Sequence, residues 1–401
     1  MRDSYAEVGK DTDPYLIGQT YTSSEDYPLG GQVGFSRFGR FGDLNLKPER
    51  TTAIEFGTDL RFFENRLGLD VTWYKSNSKD QIIPVPVSNT TGFSTFITNA
   101  GELENQGVEL ILRATPVRNE NFRWNLTLNA SYNKNEVVSI REGIKQIALG
   151  NQFGYSGSSA FMILTEGEAY GNLYGSSYQR LGASEDATHL NEDLPIVIGE
   201  DGFQERNTEL LILGNSTPKW IGGIRNDFTY KAFDFSFLID FRAGVDQYNQ
   251  YDMFFSAFGI SERTLDRNDT RVIEGVLADG SPNTQEVWLG QGVGPDGRDY
   301  GAGFYRNTYR RLTENFIQDA SFIKLRNITL GYNFQDNILG VVDFVKSARI
   351  SVAANNIILY TPWDGYDPES FSAGAGGNAT GFSGLGYPGV QSLFFTFNIG
   401  F

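Results

Sequence analysis

The connections between the strand-like segments of this sequence alternate between short and long. Ten segments are predicted to be strands because apolar and polar residues alternate along each of them with a period of two. Tight turns such as Glu64-Asn65 and Lys231-Ala232 alternate with loops of about 25 to 80 residues. Loops longer than about 15 residues are uncommon in compact soluble domains. Short turns at one end and long loops at the other are the rule in transmembrane β-barrels.

The predicted strands cover the chain from its first residues to its last. They are Arg2–Val8, Thr52–Phe62, Leu67–Tyr74, Val108–Ala114, Phe122–Tyr132, a segment that ends at Tyr230, Phe233–Arg242, Asp319–Phe334, Ile350–Ala354 and Val390–Phe401. In the eighth strand the alternation changes phase near Asn327, which indicates a β-bulge. The longest predicted loops are Gly9–Arg50, Ser76–Gly101, the segment before Pro218, the segment before Asp319, and Thr361–Gly389. Both termini are expected at the short-turn end.

The last strand shows the alternation most clearly. Every second residue counted back from the terminus is apolar, namely Phe401, Ile399, Phe397, Phe395 and Leu393. The residues between them are small or polar except for Phe394. A strand of about ten residues with an aromatic end is typical of a membrane-spanning strand. The alternative is the last strand of a soluble β-sandwich.

Composition narrows the class further. The 401 residues carry a formal net charge of -16, and 14% of them are aromatic. No apolar run reaches the roughly 20 residues of a transmembrane helix, which excludes a helical membrane protein. A mean hydropathy of -0.33 fits a barrel as well as a soluble protein, because a barrel has a polar lumen and polar loops. The acidic balance argues against nucleic acid as a partner.

Several segments together resemble the SusC/RagA family of TonB-dependent outer-membrane transporters. They are Leu46-Lys-Pro-Glu-Arg-Thr-Thr52 leading into Glu55-Phe-Gly57, Arg61-Phe-Phe-Glu-Asn-Arg-Leu67, Thr98-Asn-Ala-Gly-Glu-Leu-Glu-Asn-Gln-Gly-Val-Glu109, Asp319-Ala-Ser-Phe-Ile-Lys-Leu-Arg-Asn-Ile-Thr-Leu-Gly-Tyr332, Tyr366-Asp-Pro-Glu369 and Tyr387-Pro388. The resemblance spans the whole chain and covers the carboxy-terminal part of the family's barrel. It implies a fold that closes with about 22 strands around a plugged lumen.

The resemblance also implies partners and a cellular location. The family is energised by the TonB complex, is covered by a SusD-like surface lipoprotein, and imports oligosaccharides or, in some members, peptides. It lies in outer-membrane lipid of Gram-negative, Bacteroidetes-like bacteria. Residues 1–401 are interpreted as a single barrel domain in which plug domain, TonB box and signal peptide are absent. Phe401 is expected to be the aromatic residue that the barrel assembly machinery recognises.

Three residues of the last long loop are candidates for substrate contact. Trp363, Asp364 and Tyr366 combine aromatic faces with a carboxylate near the expected outer mouth. Such side chains hold sugars by stacking and hydrogen bonding. The alternative is that they belong to an interfacial aromatic girdle or to the core of the loop.

Enzymatic chemistry is not expected. The segment Gly292-Val-Gly-Pro-Asp-Gly297 has the spacing of a dinucleotide-binding loop, but no strand precedes it, and Pro295 with Asp296-Gly297 prevents a following helix. His189 is the only histidine, there is no cysteine, and no G-x-S-x-G motif is present. No cofactor is expected, although Asp296 with Asp299, or Asp279 with Asn283, could bind calcium. Their spacing is not that of an EF-hand loop, so solvated turns are the alternative.

The predicted fold class is all-β, a transmembrane antiparallel β-barrel in which about ten strands form the carboxy-terminal part of a larger barrel. The expected function is the barrel portion of a SusC-like transporter for oligosaccharides or similar nutrients. Two alternatives remain at this stage. One is a free-standing, porin-like barrel of ten strands. The other is a soluble surface protein that binds glycans, which would be released from membranes by carbonate.

Overall fold

Ten strands form one antiparallel sheet in the computed structural model. The structure describes residues 1–24, 34–37, 39–154, 157–334, 345–370, 380–384, 386–387 and 389–401. The strands of the main sheet are β1 Arg2–Lys10, β2 Glu49–Phe62, β3 Leu67–Lys79, β4 Glu102–Arg118, β5 Phe122–Ser139, β6 Trp220–Tyr230, β7 Phe233–Ala243, β8 Phe322–Asn333, β9 Ser347–Tyr360 and β10 Ser392–Gly400. Their number agrees with the sequence-based prediction.

The main sheet is a meander in which each strand pairs with the next along the chain. Within the described residues, β1 pairs only with β2, and β10 pairs only with β9. The sheet therefore does not close on itself, and further strands are needed to complete a barrel. The alternative of a closed ten-stranded barrel is not supported by this pairing.

One face of the main sheet, here called the apolar face, is a continuous apolar surface. A row of directly paired residues crosses β2 to β9 and consists of Leu60, Leu69, Leu112, Leu128, Ile224, Ile239, Leu325 and Ile358. Phe395 and Phe397 on β10 are exposed on the same face. An uncovered apolar surface of this extent is stable in lipid and unfavourable in water. This surface contradicts the soluble alternative.

Aromatic residues mark both ends of the apolar face. Trp220 and Tyr230 lie at the two ends of β6, ten positions apart. At about 3.3 Å per residue and a strand tilt of about 40°, they are separated by about 25 Å along the membrane normal. Phe122, Tyr230, Phe233 and Tyr332 pair across four strands at the short-turn end. The spacing matches the apolar band of outer-membrane barrels, which is about 25 Å tall and flanked by aromatic girdles.

The opposite face, here called the polar face, carries hydrogen bonds and ion pairs between strands. Tyr74 Oη donates to Asn133 Oδ1 at 2.9 Å across β4. Arg349 on β9 pairs with Asp234 on β7 at 3.1 Å. Polar side chains that satisfy one another in this way are suited to a lumen wall.

The bulge that the sequence predicts in β8 is present at Arg326. Leu325 pairs with Ile239 and Ile358, whereas Asn327 pairs with Leu238 and Asn355. Arg326 has no partner position in either neighbouring strand. The extra residue places Arg326 and Asn327 on the polar face together.

Several strands are longer than the alternation predicts. β4 begins at Glu102, before the predicted start at Val108. Except for Leu103, its first residues are polar and face polar residues of β3, and Lys75 forms an ion pair with Glu104 at 2.8 Å. The ladder therefore continues beyond the apolar band, where charged side chains can pair in water. The short connections at 63–66, 119–121 and 231–232 agree with prediction, whereas most of the fourth, at 335–344, lies outside the described residues.

Two of the long loops are folded, in contrast to the structureless segments that the sequence predicts. Residues 140–219 hold a four-stranded sheet, and residues 244–321 hold short strands, two α-helices and 3-10 turns. The strands are Gln146–Gln152, Ala160–Thr165, Asn172–Tyr178, Arg206–Asn215, Asp246–Tyr248, Thr270–Val272, Glu286–Trp288 and Ile317–Asp319, and the helices are α1 Gln250–Ala257 and α2 Phe304–Asn307. Glu262–Thr264, Tyr309–Arg311 and Thr313–Phe316 are 3-10 turns.

These two loops, here called the loop subdomain, share a hydrophobic core. Met162 and Leu173 from the first loop pack with Tyr248, Met253 and Phe316 from the second, and all five are fully buried. A loop with its own core is a rigid platform for binding residues. None of the described helices combines the length and apolar character that crossing a membrane requires.

Smaller elements complete the loop end of the sheet. They are the pair Tyr21–Ser24 and Gly34–Arg37, the three-stranded set Arg40–Gly42, Ile82–Pro86 and Thr95–Asn99, and the 3-10 turn Asn89–Thr91. Loops for which the sequence predicts no strands therefore contribute short sheets of their own.

The replacement of Gly107 by alanine should destabilise the sheet. A Cβ atom at this position would lie 2.2 Å from the carbonyl oxygen of Tyr132 and 2.7 Å from Tyr74 Oη. We expect Gly107→Ala to lower the free energy of unfolding by about 1–3 kcal/mol through overpacking. The control Gly68→Ala should change it little, because its nearest contacts, to Arg113, are at 3.9 Å. Thermal unfolding of the detergent-solubilised barrel measures both, and equal stability of the two variants would contradict the expectation.

Candidate functional site

The structure places the three predicted substrate residues in three different environments. Trp363 is 5% exposed and packs with Val245 and Ala320. Asp364 forms an ion pair with Arg263 in the loop subdomain. Tyr366 is 57% exposed and makes an edge-to-face contact with a ring of α1. Although the three residues are close in sequence, their side chains do not form one surface.

The stacking role predicted for Trp363 requires correction. The backbone N–H of Trp363 donates to Thr361 Oγ1, whose hydroxyl donates to the carbonyl of Ser321, so the chain folds back over the start of β8. Gly365 permits this arrangement, since a Cβ there would lie 2.2 Å from Trp363 Nε1. The indole thus belongs to the core of the loop, which was the alternative interpretation. Asp364 and Tyr366 remain candidates for substrate contact.

An ionic cluster joins the last long loop to the polar face. Lys324 Nζ contacts Asp367 Oδ2 at 2.8 Å and Glu369 Oε2 at 2.6 Å. Arg326 donates from Nη1 and Nη2 to both oxygens of Glu369, at 2.7 and 2.9 Å, and also binds Asp240. Lys324 is only 3% exposed, so these carboxylates compensate a buried ammonium group. The cluster, here called the anchor cluster, holds residues 367–369 over the polar face.

The electrostatics of the anchor cluster depend on Glu369. Burial by itself would raise the pKa of this carboxyl group. Hydrogen bonds and charges from Arg326 and Lys324 outweigh burial and lower the pKa of Glu369 to about 2. The carboxylate is therefore ionised at any pH above about 3, and the loop stays attached. The sequence signal for this cluster was the phase change near Asn327, which places an extra cation on the polar face.

A second polar cluster surrounds Asp364. Arg263 Nη2 contacts Asp364 Oδ2 at 2.9 Å and Asp252 Oδ2 at 3.1 Å. Gln318 Nε2 also donates to Asp252 Oδ2, at 3.1 Å. Burial raises the pKa of Asp252, and the charge of Arg263 opposes that rise. Arg263 also binds the hydroxyl of Tyr309, and burial raises the pKa of this phenol to about 12.

Beside this cluster the loop subdomain has a cleft of about 890 Å³. Three tyrosines, three arginines and three carboxylates line it, among them Tyr178, Tyr305, Tyr309, Arg263, Glu192, Asp193 and Glu274. Its volume falls in the range of about 300–1,000 Å³ that is usual for small-ligand sites. Aromatic side chains next to charged groups can hold a polar ligand. We call this cleft the tyrosine cleft.

The remaining sequence candidates lie in turns. Residues 292–299 form a tight reversal in which the N–H of Gly297 donates to the carbonyl of Gly294 at 3.0 Å. Asp296 accepts from the hydroxyl of Tyr300 at 2.8 Å, and Asp299 accepts from the backbone N–H of Gly301 at 2.9 Å. The segment Gly292–Gly297 is thus a turn rather than a nucleotide-binding loop. The other candidate, His189, is exposed and contacts Glu168 at 2.9 Å.

The proposed calcium ligands also have protein partners. Asp279 Oδ1 accepts from the N–H and the hydroxyl of Ser281, at 2.9 and 2.6 Å, and Asn283 Oδ1 accepts from the N–H of Gln285 at 3.0 Å. Within the described ranges, no group of three potential metal-binding side chains is found. Calcium binding stays a prediction.

Known proteins share the fold and the sequence pattern of this chain. Residues 5–357 match the family model described as TonB dependent receptor-like, beta-barrel. TonB-dependent receptor P39 of Formosa agariphila is 28% identical over 398 residues, which cover 90% of this chain and 36% of that protein. TonB-dependent receptor SusC of Bacteroides thetaiotaomicron is 26% identical over 368 residues, with coverages of 88% and 33%. The chain thus spans about a third of the length of these relatives.

Solved structures agree with the sequence comparisons. The structure of the RagAB peptide transporter aligns with a TM-score of 0.66 at 19% identity, over 99% of this chain and 40% of that chain. The RagAB peptide importer in its closed-closed state aligns with a TM-score of 0.68 at 20% identity, over 98% and 40%. These values establish a shared fold. The relatives are named as receptors and transporters, in agreement with the expectation that the chain is not an enzyme.

The anchor cluster should stabilise the protein in a pH-dependent way. The pKa of Glu369 is about 2 in the folded protein and 4.5 as an isolated group, so its stabilisation is present above about 4.5 and is lost as pH falls towards 2. At neutral pH, Glu369→Gln should lower the free energy of unfolding by about 1–3 kcal/mol, a range reduced because the carboxylate is partly exposed.

Unfolding of the purified protein in detergent, followed from pH 7 to pH 2.5, measures this difference between wild type and Glu369→Gln. The difference should shrink below about pH 4.5. Glu185→Gln changes an exposed carboxylate and serves as the control. A difference between wild type and Glu369→Gln that does not vary with pH would contradict the assignment.

Proposed function

Because this chain belongs to the TonB-dependent receptor-like β-barrel family, we propose that it forms the carboxy-terminal barrel wall and outer loops of a SusC-like nutrient transporter. The transporter lies in the outer membrane of a Gram-negative, Bacteroidetes-like bacterium. It imports oligosaccharides or similar nutrients by binding and translocation, without bond chemistry.

The observation that carries this proposal is the two-sided main sheet with the loop subdomain at one end. The uncovered apolar face suits lipid, and the hydrogen-bonded polar face suits a water-filled lumen. The anchor cluster attaches residues 367–369 to the polar face, so part of a loop lies over the lumen wall. Nutrients that enter from outside would pass the loop subdomain first.

An oligosaccharide is supported by the lining of the tyrosine cleft. Tyr178, Tyr305 and Tyr309 supply aromatic faces and hydroxyl groups, and Glu192 and Asp193 supply carboxylates. Hydroxyl-rich ligands need such paired acceptors and donors. Asp364 and Tyr366, on the neighbouring loop, would add to this surface. Calcium bound by the turns around Asp279 or Asp296 is not required.

The proposed partners follow from the family and from the open sheet. The TonB complex would energise transport through the amino-terminal part of the receptor, and a SusD-like surface lipoprotein would cover the loop subdomain. Further strands would pair with the open edges of β1 and β10, because unpaired backbone groups are costly in lipid.

A deletion of the gene for the receptor tests the proposed function. Growth on at least one oligosaccharide as sole carbon source should be lost, whereas growth on glucose should be unchanged, and the wild-type gene should restore growth. Since the chain has no cysteine, Asp186→Cys should react with a membrane-impermeant maleimide on intact cells, and Asn65→Cys should not. Loss of growth on peptides alone would replace the oligosaccharide by a peptide. Unchanged growth on glycans and peptides would refute the transporter.

The last residue is proposed to act in barrel assembly. β10 ends at Gly400, and Phe401 follows it with 71% of its surface exposed. Removal of Phe401 should reduce the amount of heat-modifiable barrel in the outer membrane at least several-fold, while synthesis is unchanged. The molecules that do insert should unfold at the wild-type temperature, because a surface aromatic contributes little to packing. A Phe401→Tyr control should insert normally. Normal insertion after the deletion would remove the recognition role.

A further inference from the structure

A smaller cleft in the loop subdomain is lined by two arginines and by no carboxylate. It has a volume of about 340 Å³ and lies between the end of α1 and the start of α2. Arg267 and Arg306 are its charged residues, whereas Phe258, Trp288 and Tyr305 are its aromatic ones. This charge pattern is unusual for a protein with 49 acidic and 33 basic residues. The tyrosine cleft, by contrast, contains three carboxylates that balance its three arginines.

Neither arginine is neutralised by a carboxylate in the part of the chain that the structure describes. Arg267 Nη1 donates to the backbone carbonyls of Thr264 at 3.1 Å and Gly259 at 3.4 Å. These bonds orient the guanidinium group and leave its charge uncompensated. Arg267 is exposed, so its other donors are accessible. A fixed, accessible guanidinium group is well suited to bind a carboxylate or sulfate oxygen.

Arg306 is held in place by an aromatic ring. Its guanidinium carbon lies 5.8 Å from the centre of the Phe258 ring, which stacks in turn on Phe254 at 6.1 Å with the ring planes nearly parallel. Phe258 is 53% exposed, so it presents an apolar surface directly beside a positive charge. The cation–π contact reduces the freedom of Arg306 before a ligand arrives.

The uncharged polar residues of the cleft favour a sugar over a peptide. Asn268 and Gln291 are exposed at its rim and can donate to and accept from vicinal hydroxyl groups. An extended peptide is usually held by the edge of a β-strand. Trp288 is the only described lining residue that lies in a strand, and it is the last residue of Glu286–Trp288.

We propose that this cleft binds the anionic group of an acidic saccharide, with the carboxylate or sulfate on Arg267 and Arg306 and the apolar face of the sugar ring on Phe258. This inference rests on the proposed transport function and specifies its substrate class. The volume of the cleft suits a terminal unit of the glycan rather than a long segment. The rest of the chain would extend towards the tyrosine cleft, since Tyr305 lines both.

Calorimetry with the purified full-length receptor and trigalacturonate tests the proposal. The acid should bind, and its neutral methyl ester should bind at least about tenfold more weakly, because hydrogen bonds to charged groups are the stronger ones. Arg306→Gln should weaken binding of the acid at least about tenfold. Gln291→Glu adds a carboxylate at an exposed rim position and should weaken binding by a similar factor, so the test does not depend on the stability of one variant.

A matched control distinguishes the cleft from general charge effects. Arg298 is half-buried like Arg306 and lies 4.9 Å from the centre of the Tyr300 ring, outside the cleft. Arg298→Gln should change the affinity less than about twofold. Equal binding of acid and ester, or no effect of Arg306→Gln and Gln291→Glu, would overturn the proposal. Equal or tighter binding of triglutamate would overturn the choice of a saccharide.

The outcome is independent of the test of transport. Failure of trigalacturonate to bind would overturn the acidic cleft ligand and leave the growth phenotype on another oligosaccharide intact. Unchanged growth of the deletion strain on glycans and peptides would overturn the transporter. Calorimetry with the purified receptor would still show whether the cleft binds the acid.

Discussion

Hydrocarbon offers no hydrogen-bond partners, and this constraint explains most of the architecture. Each internal strand of the main sheet exchanges backbone hydrogen bonds with two neighbours, whereas β1 and β10 have one each. Because unpaired backbone groups in lipid cost several kcal/mol, the ladder must continue beyond both edges. The same constraint requires one apolar face, since every second side chain of a membrane-spanning strand would meet lipid. Beyond the apolar band the strands continue with charged pairs such as Lys75–Glu104. These pairs are in contact with water, so the free-energy cost of their charges is small.

One irregularity in this ladder connects the membrane part to the loops. The bulge places Arg326 and Asn327 on the polar face in succession, so that face carries one more cation than strict alternation allows. Arg326 and the buried Lys324 then bind Glu369 from two sides. A buried lysine without carboxylate partners would be costly, so sheet and loop depend on each other. The loop is held over the lumen wall by this mutual neutralisation.

The sequence predicted the parts of the structure that depend on local pattern. All ten strands, three of the short turns and the bulge follow from the two-residue alternation and its single change of phase. The loop subdomain was missed because Met162, Leu173 and Phe316 come from distant segments that share no period. The burial of Trp363 likewise depends on Val245, more than a hundred positions earlier. Ion-pair partners are a matter of tertiary structure, so the anchor cluster could be suspected from the bulge but not assigned.

The net charge of the molecule does not decide what the two clefts bind. At physiological ionic strength, charges are screened over about 8 Å, so a ligand interacts mainly with the side chains that line its site. Arg267 and Arg306 attract an anion in the smaller cleft, although the chain as a whole carries -16. In the tyrosine cleft three carboxylates lie beside three arginines, so the lining has no excess positive charge for an anion, and its carboxylates can accept hydroxyl hydrogens. A glycan with one acidic end that spans both clefts would therefore bind in a single direction across Tyr305. Such a fixed direction would present the same end of each nutrient chain to the lumen.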